Sequence, residues 1–144
     1  MLKLSKKSEY GIIALKHMLN QPADSVTTAR DIAKSYNIPS EVMAKIMQTL
    51  TRKGLVNSCQ GAKGGYILGK RGDLISLSEI IESIEGPFGI VECANDPTCD
   101  CVQLSNCNIS DPFKVIQKQL RTFLSSISLA DINNEIEMQR VVWQ

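Results

Sequence analysis

Two helical patterns separated by only three residues constrain this 144-residue chain more than any other feature. Thr28, followed three residues later by Asp31, has the form of a capping box and opens a short helix through Ala29, Ile32, Ala33 and Tyr36. Asn37-Ile38-Pro39 supplies a tight turn. Ser40 then suits the N-cap of a second helix through Val42, Met43, Ile46, Met47 and Leu50, which Gly54 ends. The order helix, turn, helix is that of a helix-turn-helix. Its second helix buries positions 42, 43, 46, 47 and 50, so Lys45, Gln48 and Arg52 fall on one outward stripe. Side chains of these types suit base edges and phosphates when such a helix enters a major groove.

The segment after the second helix reads as a hairpin. Leu55–Gln60 and Tyr66–Leu68 are two short strands around Gly61-Ala62-Lys63-Gly64-Gly65. Glycines allow positive φ and close approach to a phosphate chain, and Lys63 adds charge at the tip. A glycine-rich hairpin directly after a helix-turn-helix predicts a winged helix, mostly α with a small β-hairpin. Thr28, Ser40, Glu41 and Gln60 complete the set expected at double-stranded operator DNA beside Lys45, Gln48, Arg52 and Lys63.

A first helix over Ser5–Asn20 has a broad apolar face of Tyr10, Ile12, Ile13, Leu15, Met18 and Leu19, and its His17 reads as a packing or surface residue. Ser76 and Glu79 form a second capping-box pattern before a helix through Ile80, Ile81 and Ile84 that stops ahead of Gly86-Pro87. Residues 88–110 show no periodicity. Asp111 and Pro112 then open a long helix with a stripe of Phe113, Ile116, Leu120, Phe123, Leu124 and Ile127. Packing against its own domain is one use of this stripe. Packing on a second copy is the expected one, because the earlier helices already supply a core, and it makes the chain a homodimer. Ser128 and Asp131 cap one more short turn, and the tail to Gln144 is expected to be loosely held. The expected organisation is a DNA-binding domain over 1–86, a cysteine-rich loop over 87–111, a dimerisation helix and turn over 112–132, and a tail over 133–144.

The net charge of +1 conceals a division. Residues 1–71 hold twelve lysines and arginines against four acids, a net +8, and the remainder holds four against eleven, a net −7. Such a split points to a polyanion as the partner of one half. No apolar run is long enough for a membrane span and the N-terminus has no signal-peptide pattern, so a cytoplasmic protein is expected. Enzymatic chemistry finds no support: the single histidine has no nucleophile paired with it, and no nucleotide-binding glycine motif occurs. No small-molecule substrate is expected.

Four of the five cysteines crowd into Cys93-x5-Cys99-x-Cys101-x5-Cys107. In a reducing compartment this clustering favours metal or redox chemistry over a disulfide framework. Irregularly spaced loop thiols can converge on one centre, and thiolates select zinc, copper(I) or iron-sulfur clusters. The C-x2-C knuckle of zinc fingers is missing, which leans towards an iron-sulfur cluster without excluding zinc. Cys59, on a predicted strand, reads as a small apolar residue with no role.

Taken together, Leu4–Tyr10, Leu50–Val56, Gly61–Tyr66, Ile75–Glu82 and Ser128–Ile132 resemble the Rrf2 family of bacterial transcription regulators over nearly the whole chain. The resemblance implies a homodimeric winged helix with a long crossing helix and a [2Fe-2S] or [4Fe-4S] cluster on three loop cysteines, sensing iron, redox or nitric oxide status. The family's five-residue gap between its last two cysteines points to Cys101 and Cys107, with Cys93 as the first ligand. Cys99 is surplus: it replaces Cys101, exchanges with it, or is a fourth ligand. A histidine three residues after the last cysteine serves some members, and Ser110 stands there in this chain. In others an acid from the partner's first helix reaches the cluster, and Glu9 holds roughly that place. A cluster-free regulator controlled by a partner protein, or one with a structural zinc, is the competing expectation.

Overall fold

Serine and threonine caps set the starts of most helices. The computed structural model describes residues 2–134. Among them run α1 (Lys6–Leu19), α2 (Ala29–Ser35), α3 (Ser40–Arg52), β1 (Val56–Cys59), β2 (Gly65–Leu68), α4 (Leu77–Glu85), α5 (Glu92–Asn95), α6 (Ser110–Ser126) and α7 (Leu129–Asn133). Ser5 caps α1, Thr28 caps α2, Ser76 caps α4 and Ser128 caps α7, each accepting from the backbone N–H three residues on.

One apolar core joins α1 to α4, the hairpin and α7. Ala14, Leu15 and Met18 of α1 meet Ile32 and Ala33 of α2, and Met43, Ile46, Met47 and Leu50 of α3. Leu55, Val56, Ile75, Ile80 and Leu129 close it from the other side. The α2–α3 turn is held by Asn37 in the left-handed region, φ 53°, and by the buried Ile38. The expected spacing of the helix-turn-helix and the amphipathic α3 therefore stand as read. His17 accepts or donates to the Tyr36 hydroxyl at 2.9 Å, with the rings edge to face, so it packs α1 on the end of α2.

The hairpin pairs antiparallel with Val56 opposite Leu68 and Cys59 opposite Gly65. Sequence reading did not anticipate its third contact: Thr27 bridges Tyr66 through hydrogen bonds of 2.9 and 2.8 Å. This fastens the wing to the segment leading into α2. A Cβ at Gly65 would stand 2.7 Å from the Thr27 carbonyl oxygen and from Val26, so the bridge requires glycine there. Gly65→Val is expected to break the bridge and cost about 1–3 kcal/mol as an overpacked contact. Thermal unfolding should show a lowered midpoint, and an unchanged one would refute the role given to Gly65.

Several local expectations need correction. Ser40 is not the N-cap of α3. Pro39 holds that position and no side-chain cap bond forms, because the fixed φ of proline, here −57°, already sets the start one residue earlier. The expected boxes at Thr28 and Ser76 close on one side: Glu79 turns instead to Lys70 at 2.6 Å. The reciprocal box forms at Ser128 and Asp131. Helix α6 starts at Ser110, ahead of Pro112, which is tolerated in a first turn where its missing N–H has no intrahelical partner. Ile127 does not belong to the outward stripe. It lies beyond the end of α6, is only 3% exposed and carries the strand-like contact in which Leu77 N–H donates to its carbonyl at 2.8 Å. The aperiodic stretch contains α5, which carries Cys93, and a 3-10 turn at Leu104–Asn106. The expected tail from residue 135 onward lies outside the described residues.

Candidate functional site

The face that presents α3 is polar and carries exposed cations. Lys45, Gln48 and Arg52 are exposed on it, with Glu41 one turn earlier, and Gln60 and Lys63 are exposed on the hairpin. Among the described residues Lys45, Arg52 and Lys63 make no ion pair, while Lys6, Lys70, Arg71, Lys114 and Arg121 each meet a carboxylate. The Arg52 guanidinium donates only to the Thr49 hydroxyl, at 3.2 Å. Lys63 and Thr28 line one cleft with Val26, Asp31, Ala62 and Gly64, which puts the wing tip at the start of α2. The Ser40 hydroxyl, free of capping duty, stands exposed in the first turn of α3, where unsatisfied backbone N–H groups favour an anion. Exposed cations on a helix and a hairpin, outside any ion pair among the described residues, suit a phosphate backbone.

The second site is built from the loop between α4 and α6. Cys93, Cys101 and Cys107 line a single cavity of about 560 Å³ with Ile90, Val91, Ile109 and Ser110 among its walls. Cys99 lies outside that wall but close by. Loss of hydration holds its thiol above the ordinary value of 9.0, and the neighbouring Cys93 adds to the effect. All five cysteines are free thiols, and Cys101 Sγ donates weakly to Gln103 Oε1 at 3.5 Å. Among the described residues no three potential ligands stand close enough to grip an ion together. Three thiols around one cavity fit an iron-sulfur cluster in residue type and would supply three of its four ligands, provided that they draw inward and lose their protons to the metal. Glu9 stands apart on α1, paired to Lys6 at 2.6 Å. Cys59, half-buried on β1, takes no part.

Helix α6 borders this cavity through Ser110 and carries both buried polar and exposed apolar residues. Ser110 and Gln117, seven residues apart, are buried against the protomer's own loop, and Arg121 donates to Glu82 of α4 at 3.0 Å. Its outer edge is apolar: Ile116 is 46% exposed and Phe123 is 42% exposed. Phe113, Leu120 and Leu124 are half-buried, the last two facing Ile81 and Phe88 in a groove under the N-terminus. The apolar stripe was legible in the sequence; the burial of Ser110 and Gln117 beside it was not.

A helix-turn-helix whose second helix and following hairpin both present exposed cations defines a winged-helix DNA-binding protein. The chain belongs to the Rrf2 family of iron-dependent transcriptional regulators, whose model matches residues 4–135. It is a DNA-binding transcriptional regulator, and its relatives are regulators and not enzymes. It is similar to the HTH-type transcriptional regulator NsrR of Bacillus licheniformis, with 27% identity over 98% of this chain and 92% of that one. It is also similar to CymR of Bacillus subtilis, 33% identical over 66% of this chain and 69% of that one. The solved structure of B. subtilis CymR, described as the global cysteine regulator, superposes with a TM-score of 0.74 over 94% of this chain and 98% of that one at 28% identity. IscR of T. potens superposes with a TM-score of 0.70 over 96% and 91% at 25% identity. No helix of the described residues is long and apolar enough to cross a membrane.

Proposed function

We propose that the protein is a homodimeric repressor whose affinity for its operator is set by an iron-sulfur cluster on Cys93, Cys101 and Cys107. The observation that carries the reading is the shared cavity of these three thiols, lying against a helix with an apolar edge left exposed among the described residues. When bound, such a cluster supplies a metal centre that responds to iron, redox state or nitric oxide. The chain's own residues do the rest. Thiolates at 93, 101 and 107 hold iron, while Cys99 and Glu9 compete for any position left open. A harder carboxylate gives the more exchangeable bond and a thiolate the more robust one. Occupancy changes DNA affinity only by favouring one arrangement of the dimer over another.

The DNA end of this proposal is testable alone. Lys45, Gln48, Arg52 and Lys63 are its principal contacts, with Thr28, Ser40, Glu41 and Gln60 bordering them. Lys63→Ala is expected to weaken binding evenly across sequences and lower the slope of log affinity against log salt by roughly one unit. Gln48→Ala is expected to relax preference at a single base position. Unchanged affinity and salt dependence in both variants would sink the assignment. A second reading, control without a cluster, is favoured by the likeness to a global cysteine regulator and by the thiols standing apart. Iron content and the visible spectrum of anaerobically purified protein separate the two.

A further inference from the structure

Gln117 is polar, sits midway along α6 and is only 8% exposed. Its Oε1 accepts from the Ile90 backbone N–H at 3.0 Å, and its Nε2 donates to Asn95 Oδ1 at 2.7 Å. Asn95 Nδ2 in turn donates to the Pro87 carbonyl at 3.0 Å. The direction of this chain is forced at both ends. A backbone N–H can only donate, so it must meet Gln117 oxygen, and a carbonyl can only accept, so it must meet Asn95 nitrogen. Neither amide can flip without losing a bond. The Asn95 side chain also fills the space above Gly89, where a Cβ would collide with it.

Residues 87, 90 and 95 bracket the start of the cysteine loop, and Cys93 lies between them on α5. Any inward movement of Cys93 carries Asn95 with it. That movement drags the Gln117 amide, and α6 with it, or strands a buried amide without partners. We infer that Gln117 is the positioning residue that couples the Cys93 segment to α6, so that what happens at the thiols is felt at the dimer helix. The inference rests on the proposed cluster only for what moves the loop; the clamp itself stands on the hydrogen bonds from Ile90 to Gln117, from Gln117 to Asn95 and from Asn95 to Pro87.

The test uses Gln117→Met, which keeps length and helix propensity, and Asn95→Leu, alone and combined. In the metal-free full chain, alkylation of Cys93 by iodoacetamide, followed by mass spectrometry, should quicken about tenfold in either variant. The double variant should be no faster, because both break one linkage. Hydrogen exchange across α1 to α3 should match the parent, showing an intact fold. Unchanged labelling, or rates that multiply in the double variant, overturns the clamp. Reconstitution with ferrous iron and sulfide then asks whether the linkage transmits. The parent should change its exchange across residues 110–126 on loading, and Gln117→Met should bind comparable iron without that change. A variant that still shows the full change overturns transmission through Gln117. If the parent binds no iron, the cluster reading fails, and the labelling arm still decides the clamp.

Discussion

Phe123→Asp is expected to turn the proposed dimer into monomers in sedimentation, with the helix-turn-helix and wing still folded. Within the protomer Phe123 is 42% exposed and Ile116 is 46% exposed on the same edge of α6, so neither supports its own core. The opposite edge carries Ser110 and Gln117, both buried. Large apolar side chains left exposed along one edge of a helix are the surface that the proposed second copy would cover. An ionised carboxylate in the resulting seam costs several kcal/mol, and even about 3 kcal/mol weakens association roughly a hundredfold. Leu120→Asp should also disrupt the dimer, but Leu120 shares a groove with Ile81 and Phe88, so this change should lower protomer stability as well. A Phe123→Asp protein that stays dimeric would place the interface elsewhere.

The cysteines should show the other large effect. Alanine at Cys93, Cys101 or Cys107 is expected to reduce iron retained after anaerobic reconstitution by about tenfold or more, because each removal takes one thiolate from a three-thiolate site. Cys99→Ala should retain most of its iron, since Cys99 does not line the shared cavity. If Cys101→Ala keeps a full complement and Cys99→Ala loses it, Cys99 is the second ligand. If none of the four matters, the cluster reading fails.

The parts of this fold set by local chemistry were legible in the sequence. Periodicity located α1 to α4, Gly54 ended α3 with φ 77°, and the hairpin formed, with Gly65 inside β2 and not in the turn, and with Leu55 and Gln60 outside β1. The Thr27–Tyr66 bridge was not legible, because it joins residues 39 positions apart and leaves only Gly65 as a trace. Ile127 was misplaced for a related reason. Its spacing continues the α6 stripe, but the helix ends one residue before it and the chain turns it into the core. The cysteine set was visible as a spacing, and its association with one cavity needed the fold. The Gln117–Asn95 linkage was invisible, since two amides 22 residues apart carry no pattern of their own.

The most direct test of the central proposal is the affinity for one operator duplex, selected from a random pool, measured anaerobically with iron-loaded protein and again after iron is stripped and the thiols kept reduced. A site that couples to DNA binding should separate the two affinities by about fivefold or more, the lower end of ordinary allosteric coupling. Restoring ferrous iron and sulfide should recover the first value. Iron-loaded and stripped proteins that bind the duplex equally well would contradict control by the cluster and leave a winged-helix regulator governed by something other than its thiols.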